Sequence, residues 1–424
     1  MKTESGRPLS FSACGERLKA PEITRLMATA LASPELLSLA AGFTDNETLP
    51  VEAVREVVDK LLSRSDAAGY LQYGTNQGRL PLREWLARRV SDQDRLPKEQ
   101  AIAAEQVMIT NGSQQALALA TQVLCDPGDI VFVENPTYFV YLDVLRGVGA
   151  DVRDLPRDAE NRIDAEAFGQ ILDAMDSAER RRVKAIYLLG YFSNPASTTL
   201  TEKEKTDLAA VLREREMWVP VLEDAAYREL YFEEASEERS ILGLDTFHDF
   251  PRLYLGTLTK PFATGLKVGF ACCTDADWLQ RMLYLKGQHD FGTAHFQQAI
   301  LEEVLESGRY EPQLKLLRKT YFDKMRTLHE ALLEAGLREL GWKWEVPEGG
   351  LYLWLEGPSG LDTGVESEFC RRGVENGVLY VPGDLCMGEN REKNFVRLSF
   401  AALSQEQLRE AGRRFAKTAR EFTQ

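Results

Sequence analysis

From about Glu105 to about Gln288 the chain sets short apolar runs between longer helical stretches, and this alternation restricts its fold more than any other feature. Val107-Met-Ile-Thr, Val131-Phe-Val, Val183-Lys-Ala-Ile-Tyr-Leu-Leu, Trp218-Val-Pro-Val-Leu and Arg252-Leu-Tyr-Leu-Gly-Thr-Leu read as strands. Strands that alternate with helices make a mostly parallel sheet with helices on its faces, an α/β architecture. Helix-rich sequence follows from about Thr293 to Gly336, and then short strands and two helices close the chain. With 424 residues there is material for two domains with large cores. The expected division is an N-terminal arm and part of a small domain over 1–50, a large domain over 51–305, and the rest of the small α+β domain over 306–424.

Open sheets of this kind bind ligands beyond the carboxyl ends of their strands, and the chemistry-bearing residues of this chain collect there. Lys260 follows the Arg252 run and is flanked by Thr257 and Thr259. A lysine in a dry, hydroxyl-lined place can lose its proton and attack an aldehyde to form a Schiff base. Asp224 ends an apolar strand, where a carboxylate is costly unless a positive group meets it. A protonated pyridine nitrogen would serve, with Tyr227 three residues on near the same ring; a helix N-cap fits Asp224 equally well. Asn194-Pro195 makes a turn after another buried strand, so Asn194 either offers its amide to a ring oxygen or only closes its own turn. Gly112-Ser113-Gln114 begins a helix after a strand, which is an anion site. It lacks both dinucleotide and P-loop glycine patterns, so a lone phosphate is the better ligand. Tyr138, at a strand-to-helix corner, either lies flat on a ring or packs in the core. Arg397, in the alternating stretch Asn394–Phe400, suits an α-carboxylate or a structural salt bridge.

In order and rough spacing these pieces resemble the fold-type I pyridoxal-phosphate aminotransferases of class I/II, most closely the 2-aminoadipate, kynurenine and aromatic transaminase branch. The likeness runs from Leu39-Ala-Ala-Gly42 to the C-terminal helix and includes Leu71-Gln-Tyr73-Gly74, Pro347-Glu-Gly-Gly-Leu-Tyr-Leu-Trp and Val378-Leu-Tyr-Val-Pro-Gly383. It implies a seven-stranded sheet in the large domain and pyridoxal 5'-phosphate as cofactor. The reaction implied is amino transfer between an L-α-amino acid and a 2-oxo acid, with 2-oxoglutarate and glutamate as one pair. Lys260 would carry the cofactor and shuttle the proton, Asp224 would meet the pyridine nitrogen, Asn194 and Tyr227 the phenolic oxygen, and Tyr138 the ring face. Ser113, Gln114, Thr257, Thr259 and Lys267 would hold the phosphate. Arg397, with the backbone at Gly42 and with Asn194, would hold the substrate. Tyr73 would reach the phosphate of a second subunit, which implies a homodimer with shared sites.

The chain departs from the family pattern in places. Lys267 stands where the family has an arginine, keeping the charge and losing the bidentate fork. Ser193-Asn194-Pro195-Ala196-Ser197 replaces the usual Gln-Asn-Pro-Thr-Gly, and Gly190 replaces a common proline; these changes are expected to border the substrate pocket. Arg17 and Arg25 lie where acidic-substrate members recruit an arginine, with Thr24 the other occupant of that place.

Bulk properties narrow the field. A net charge of −15 speaks against a nucleic-acid surface. No run of about eighteen apolar residues and no apolar leader core occurs, so neither membrane nor export is expected. The six cysteines and four histidines are scattered, without metal or disulfide spacing, as suits a cytoplasmic protein. A pyridoxal-phosphate β-eliminating C–S lyase is the alternative activity. A ligand-sensing regulator is a further one, disfavoured by a short, non-basic segment ahead of the core.

Overall fold

A computed structural model describes residues 10–21, 23–24, 35–40, 42–389 and 391–422. Strand β1 (Leu37–Ser38) lies apart from the main sheet. That sheet comprises β2 (Val107–Asn111), β3 (Ile130–Val133), β4 (Asp151–Asp154), β5 (Val183–Leu189), β6 (Val221–Asp224), β7 (Arg252–Thr257) and β8 (Val268–Cys273). Its order is β2-β8-β7-β6-β5-β3-β4. Every pairing is parallel except those of β8, which runs against both β2 and β7. Six strands therefore point one way, and β8 begins at the edge where they end. Residues far apart in the chain meet along that edge.

The strands sit here because both their faces are covered. Along β3, Ile130 and Phe132 enter one core while Val131 and Val133 enter another. On β5 the same two-residue period sends Ile186 and Leu188 to the first and Ala185, Tyr187 and Leu189 to the second. Helices Gly112–Leu124 and Ala276–Asp290 cover the second face through Ala116, Leu117, Trp278 and Met282. Helices Ala165–Ala174 and Glu202–Glu214 cover the first through Phe168, Leu172, Leu208 and Leu212. Each large apolar side chain buried this way contributes about 1.5–3 kcal/mol. Local signals set the helix ends: Thr201 and Glu204 form a reciprocal capping box, and Gly149, at φ +86°, closes Phe139–Val148.

The remaining strands are β9 (Tyr352–Glu356), β10 (Val378–Leu379), β11 (Val381–Pro382) and β12 (Phe395–Ser399). β12 lies between β11 and β9, antiparallel to both. β1 pairs in parallel with β10 and so joins the N-terminal segment to the C-terminal part. The 25-residue helix Tyr310–Glu334 packs against Gln405–Arg420. Among the described residues no helix is long and apolar enough to cross a membrane, and no group of His, Cys, Asp and Glu is placed to hold a metal.

Gly190 has a packing reason rather than a place in the pocket wall, which corrects the expectation that it borders the substrate. A Cβ there would stand 2.3 Å from Oε1 of Glu223. The Glu223 carboxylate is fully buried, 2.8 Å from the equally buried Lys205 ammonium, and accepts the Ile241 N–H at 2.7 Å. Moving it would disturb a buried ion pair, so a side chain at 190 is expensive. Gly190→Ala is expected to lower stability by about 1–3 kcal/mol, read as a lower denaturant midpoint with unchanged slope. An unchanged midpoint would mean that the carboxylate steps aside at little cost.

Candidate active site

One cavity of about 570 Å³ opens at the carboxyl edge of the sheet. Its lining includes Gly42, Ser113, Gln114, Tyr138, Asn194, Asp224, Tyr227, Thr257, Thr259, Lys260, Lys267 and Arg397. The topology explains this convergence. β2 delivers Ser113 and Gln114, the segment after β3 Tyr138, β5 Asn194, β6 Asp224, and β7 Thr257 and Lys260, while Lys267 precedes β8. Arg397 comes from the middle of β12. Tyr73 is absent from the lining; it is 80 % exposed and meets the exposed Phe291 ring edge to face at 6.0 Å. Two further clefts, one lined by Glu99, Leu244 and Arg252 and one by Phe232, Glu237 and Phe322, hold none of these residues.

Lys260 donates from Nζ to the Gly42 carbonyl at 2.7 Å. Burial pushes its pKa below the usual lysine value, and the Lys267 and Arg397 charges act in the same direction. Asp224 ends β6 with each oxygen engaged: Oδ2 accepts from the Tyr187 hydroxyl and Oδ1 from the Ala226 N–H, both at 3.0 Å. No helix follows it, so the N-cap reading reduces to a local turn. Burial lifts its pKa to about 6, against those two hydrogen bonds.

Arg397 is 2 % exposed and has no carboxylate partner among the described residues, which removes the salt-bridge reading. Nη1 donates to Asn194 Oδ1 and Nη2 to the Ala40 carbonyl, each at 2.7 Å. Its Nε is buried with no partner among the described residues. The guanidinium carbon lies 4.2 Å from the Tyr352 ring centre and 5.4 Å from that of Phe139. Asn194 thus spends its oxygen on Arg397, leaving its amide N–H groups as donors.

The expected phosphate cradle gathers at the start of Gly112–Leu124. Gly269 on β8 packs so closely there that a Cβ would lie 2.5 Å from the Ser113 nitrogen. Gln114 Oε1 is buried without a partner among the described residues. Lys267, in a left-handed turn at φ +55°, holds its Nζ 3.9 Å from where a Gly112 Cβ would be. Thr257 and Thr259 direct their hydroxyls to the Val268 carbonyl at 3.2 and 3.3 Å. An anion at free helix N–H groups with one cation beside it fits this end, and a protonated ring nitrogen fits the Asp224 end. A phosphorylated pyridine aldehyde carries both features, with its aldehyde toward Lys260. The residues present fit pyridoxal phosphate.

Two tyrosines complete the site without having been singled out from sequence. Tyr352 shares a hydrogen bond with Tyr227 at 3.0 Å and stacks on Arg397; its signal was its place after Gly349-Gly350. Tyr187 holds Asp224; alternation along β5 places it on that face, but nothing local names its partner. Arg17 spends its guanidinium on the Gly147 and Val148 carbonyls at 3.1 Å, so it does not face substrate. Thr24 is exposed, and Arg25 lies outside the described residues.

Comparison with known proteins shows the family of this chain. A family model described as aminotransferase class I and II matches residues 34–415. Aromatic-amino-acid aminotransferase 1 of Thermococcus litoralis is 31 % identical over 412 residues, covering 97 % of this chain and 94 % of the relative. The structure of the α-aminoadipate aminotransferase LysN of Thermus thermophilus, complexed with N-(5'-phosphopyridoxyl)-L-leucine, superimposes with a TM-score of 0.83 at 30 % identity, covering 97 % of each chain. The Pyrococcus horikoshii kynurenine aminotransferase structure, in complex with PMP, gives a TM-score of 0.86 at 30 % identity and 98 % coverage of each.

The raised Asp224 pKa has a measurable sign. The folded, cofactor-free chain holds this proton to about pH 6, while an unfolded chain releases it near pH 4. Its contribution to stability is therefore full below about pH 4 and is lost as pH rises through 6. Asp224→Asn has no proton to lose. Relative to wild type, the cofactor-free variant is expected to gain about 2–3 kcal/mol between pH 4 and 7, read from denaturant midpoints. A constant difference across that range would mean that Asp224 ionises freely.

Proposed function

As a member of the class I and II aminotransferases, this chain is a pyridoxal-phosphate-dependent enzyme that moves an amino group between an L-α-amino acid and a 2-oxo acid, and we propose that the cavity residues divide that work as follows. The cofactor, when bound, supplies an aldehyde that captures amines and a ring that accepts the electron pair left at the substrate Cα. Lys260, whose burial favours the neutral amine, would hold the cofactor through its aldehyde carbon and would carry the proton to and from the substrate Cα. Asp224 keeps the ring nitrogen protonated. The amide of Asn194 and the hydroxyl of Tyr227 hold the phenolic oxygen, and Tyr138 covers the ring face. The Ser113 and Gln114 N–H groups, the Thr257 and Thr259 hydroxyls and the Lys267 ammonium hold the phosphate. Arg397 takes the substrate carboxylate with the backbone at Gly42; its unpartnered Nε and its Ala40 contact mark donors that a carboxylate would recruit.

The observation that carries the reading is the single cavity in which a depressed lysine, a raised aspartate and an arginine without a carboxylate meet. The C–S lyase alternative is not favoured, since the matched family and the relatives named above are aminotransferases. We also propose a homodimer, supported by Leu71, Tyr73 and Phe291, which are 68, 80 and 72 % exposed near one loop. Tyr73 would complete the partner's phosphate site. The pairing of β1 with β10 supports a small domain drawn from both ends of the chain, with boundaries near 50 and 305. Six free cysteines support a reducing, cytoplasmic setting.

The absorbance of the protein with pyridoxal phosphate tests the reading directly. A visible band should form, bleach with a single amino acid and return with 2-oxoglutarate or another 2-oxo acid; pyruvate and ammonia released from cysteine alone would instead favour the lyase. Lys260→Ala should form no lysine-linked band, and an unchanged band would move the reactive amine elsewhere. Asp224→Ala should stay folded and lose roughly a hundredfold or more in turnover; near-normal turnover would remove Asp224 from its role.

A further inference from the structure

The mechanism above gives no task to Tyr187, a buried titratable group. Tyr187 of β5 stands opposite Leu222 of β6. Asp224 is two residues beyond Leu222, so both side chains project from the same face of the sheet as diagonal neighbours. The Tyr187 hydroxyl reaches Asp224 Oδ2 at 3.0 Å. Tyr187 is completely buried, and Asp224 is its hydroxyl's one recorded partner among the described residues. Its ring is held from behind: Tyr141 packs on it with centroids 4.3 Å apart, and Thr121 donates to the Tyr141 hydroxyl at 3.2 Å.

We propose that Tyr187 is a positioning residue for amino transfer, its O–H clamping Oδ2 of Asp224 so that the carboxylate stays ionised and turned toward the cofactor's ring nitrogen. This rests on the reading that Asp224 meets that nitrogen. The geometry carries it in two ways. With Tyr187 on Oδ2 and the Ala226 N–H on Oδ1, each oxygen has one donor, and the carboxylate cannot rotate without losing both. Both partners donate, so both favour the charged acceptor over the neutral acid. The titratable groups facing Asp224 are otherwise few. Tyr138 faces it across the cavity, and its chain neighbour Glu223 is held by Lys205. Tyr187 itself remains protonated, because burial and then the Asp224 charge hold its pKa well above that of an ordinary phenol.

Tyr187→Phe deletes the O–H and keeps the packed ring, so circular dichroism should show an intact fold. The test titrates pyridoxal phosphate into cofactor-free wild type, Tyr187→Phe, Asp224→Asn and the double variant between about pH 5 and 8.5, scoring the dissociation constant. Tyr187→Phe is expected to weaken binding on the order of tenfold, the size of one hydrogen bond to a charged group. It should also move the acid-side loss of affinity to higher pH, because a carboxylate with one donor fewer takes up its proton sooner. In the Asp224→Asn background the same change should add nothing, as expected of a group acting only through Asp224. Tyr141→Phe, which keeps the ring contact, should leave the acid limb in place; a shift equal to that of Tyr187→Phe would assign the effect to packing and overturn the proposal. An unmoved limb in Tyr187→Phe beside a large affinity loss in Asp224→Asn would sink the role of Tyr187 alone. Wild-type affinity in Asp224→Asn would sink the reading of Asp224, and the proposal with it.

Discussion

Three ionisable groups, Lys260, Asp224 and Arg397, are withdrawn from water at one end of a mostly parallel sheet, and the architecture follows from how their desolvation is met. Burial favours the neutral form of the lysine and of the aspartate, and each is held by neutral donors or acceptors rather than by an opposite charge. Arg397 lies against two oxygens and two aromatic rings. A site of this kind is high in energy until a ligand brings the missing charges. In the proposed function, a phosphate, a ring nitrogen and a substrate carboxylate are the groups that would relieve it.

One short segment ties the arrangement together. Ala40 and Gly42 offer their carbonyls to Arg397 and Lys260, so nearby backbone oxygens hold both the cation proposed to bind substrate and the one proposed to react. The Leu39 N–H and carbonyl bond to Leu379 and Ser399, and Asp45 pairs with the buried Lys324 at 2.6 Å. These links fix the segment to the C-terminal part of the chain. The Thr44 hydroxyl lies 3.4 Å from that of Thr264, which lines the cavity. In the proposed function, substrate binding at Arg397 and release of Lys260 from Gly42 would act on the same stretch of backbone.

Behind the site the charges are arranged differently, as closed pairs. Lys205 with Glu223 and Arg228 with Asp94 are buried at 2.8 and 2.6 Å. Both cations lie on the Tyr191 ring, 4.9 and 4.4 Å from its centre. Tyr191 also lines the cavity, so these pairs support its wall. The contrast is chemical: satisfied pairs stiffen a scaffold, while unpaired groups wait for ligand.

Most of the sheet was legible in the sequence because a strand buried on both faces must be a short apolar run, and the runs around Ile130, Val183, Val221 and Leu253 are just that. Lys260, Asp224, Asn194 and Arg397 stood out too, since each follows or interrupts such a run, although a helix cap, a turn and a salt bridge accounted locally for the last three. Their meeting in one cavity was implied by the resemblance and by no local pattern, because it depends on the order of strands in the main sheet and on Arg397 arriving from β12 of a separate sheet. Local pattern likewise gave no warning that Gly190 yields to Glu223, that Arg17 caps a helix, or that Tyr187 and Tyr352 complete the site. Side-chain period and strand-end polarity are properties of a few consecutive residues, so local chemistry was enough to set the strands and to mark the reactive groups. Partners, burial and the shifted protonation of Asp224 and Lys260 depend on residues tens to hundreds of positions away, and these were settled in three dimensions, where folding excludes water from between them.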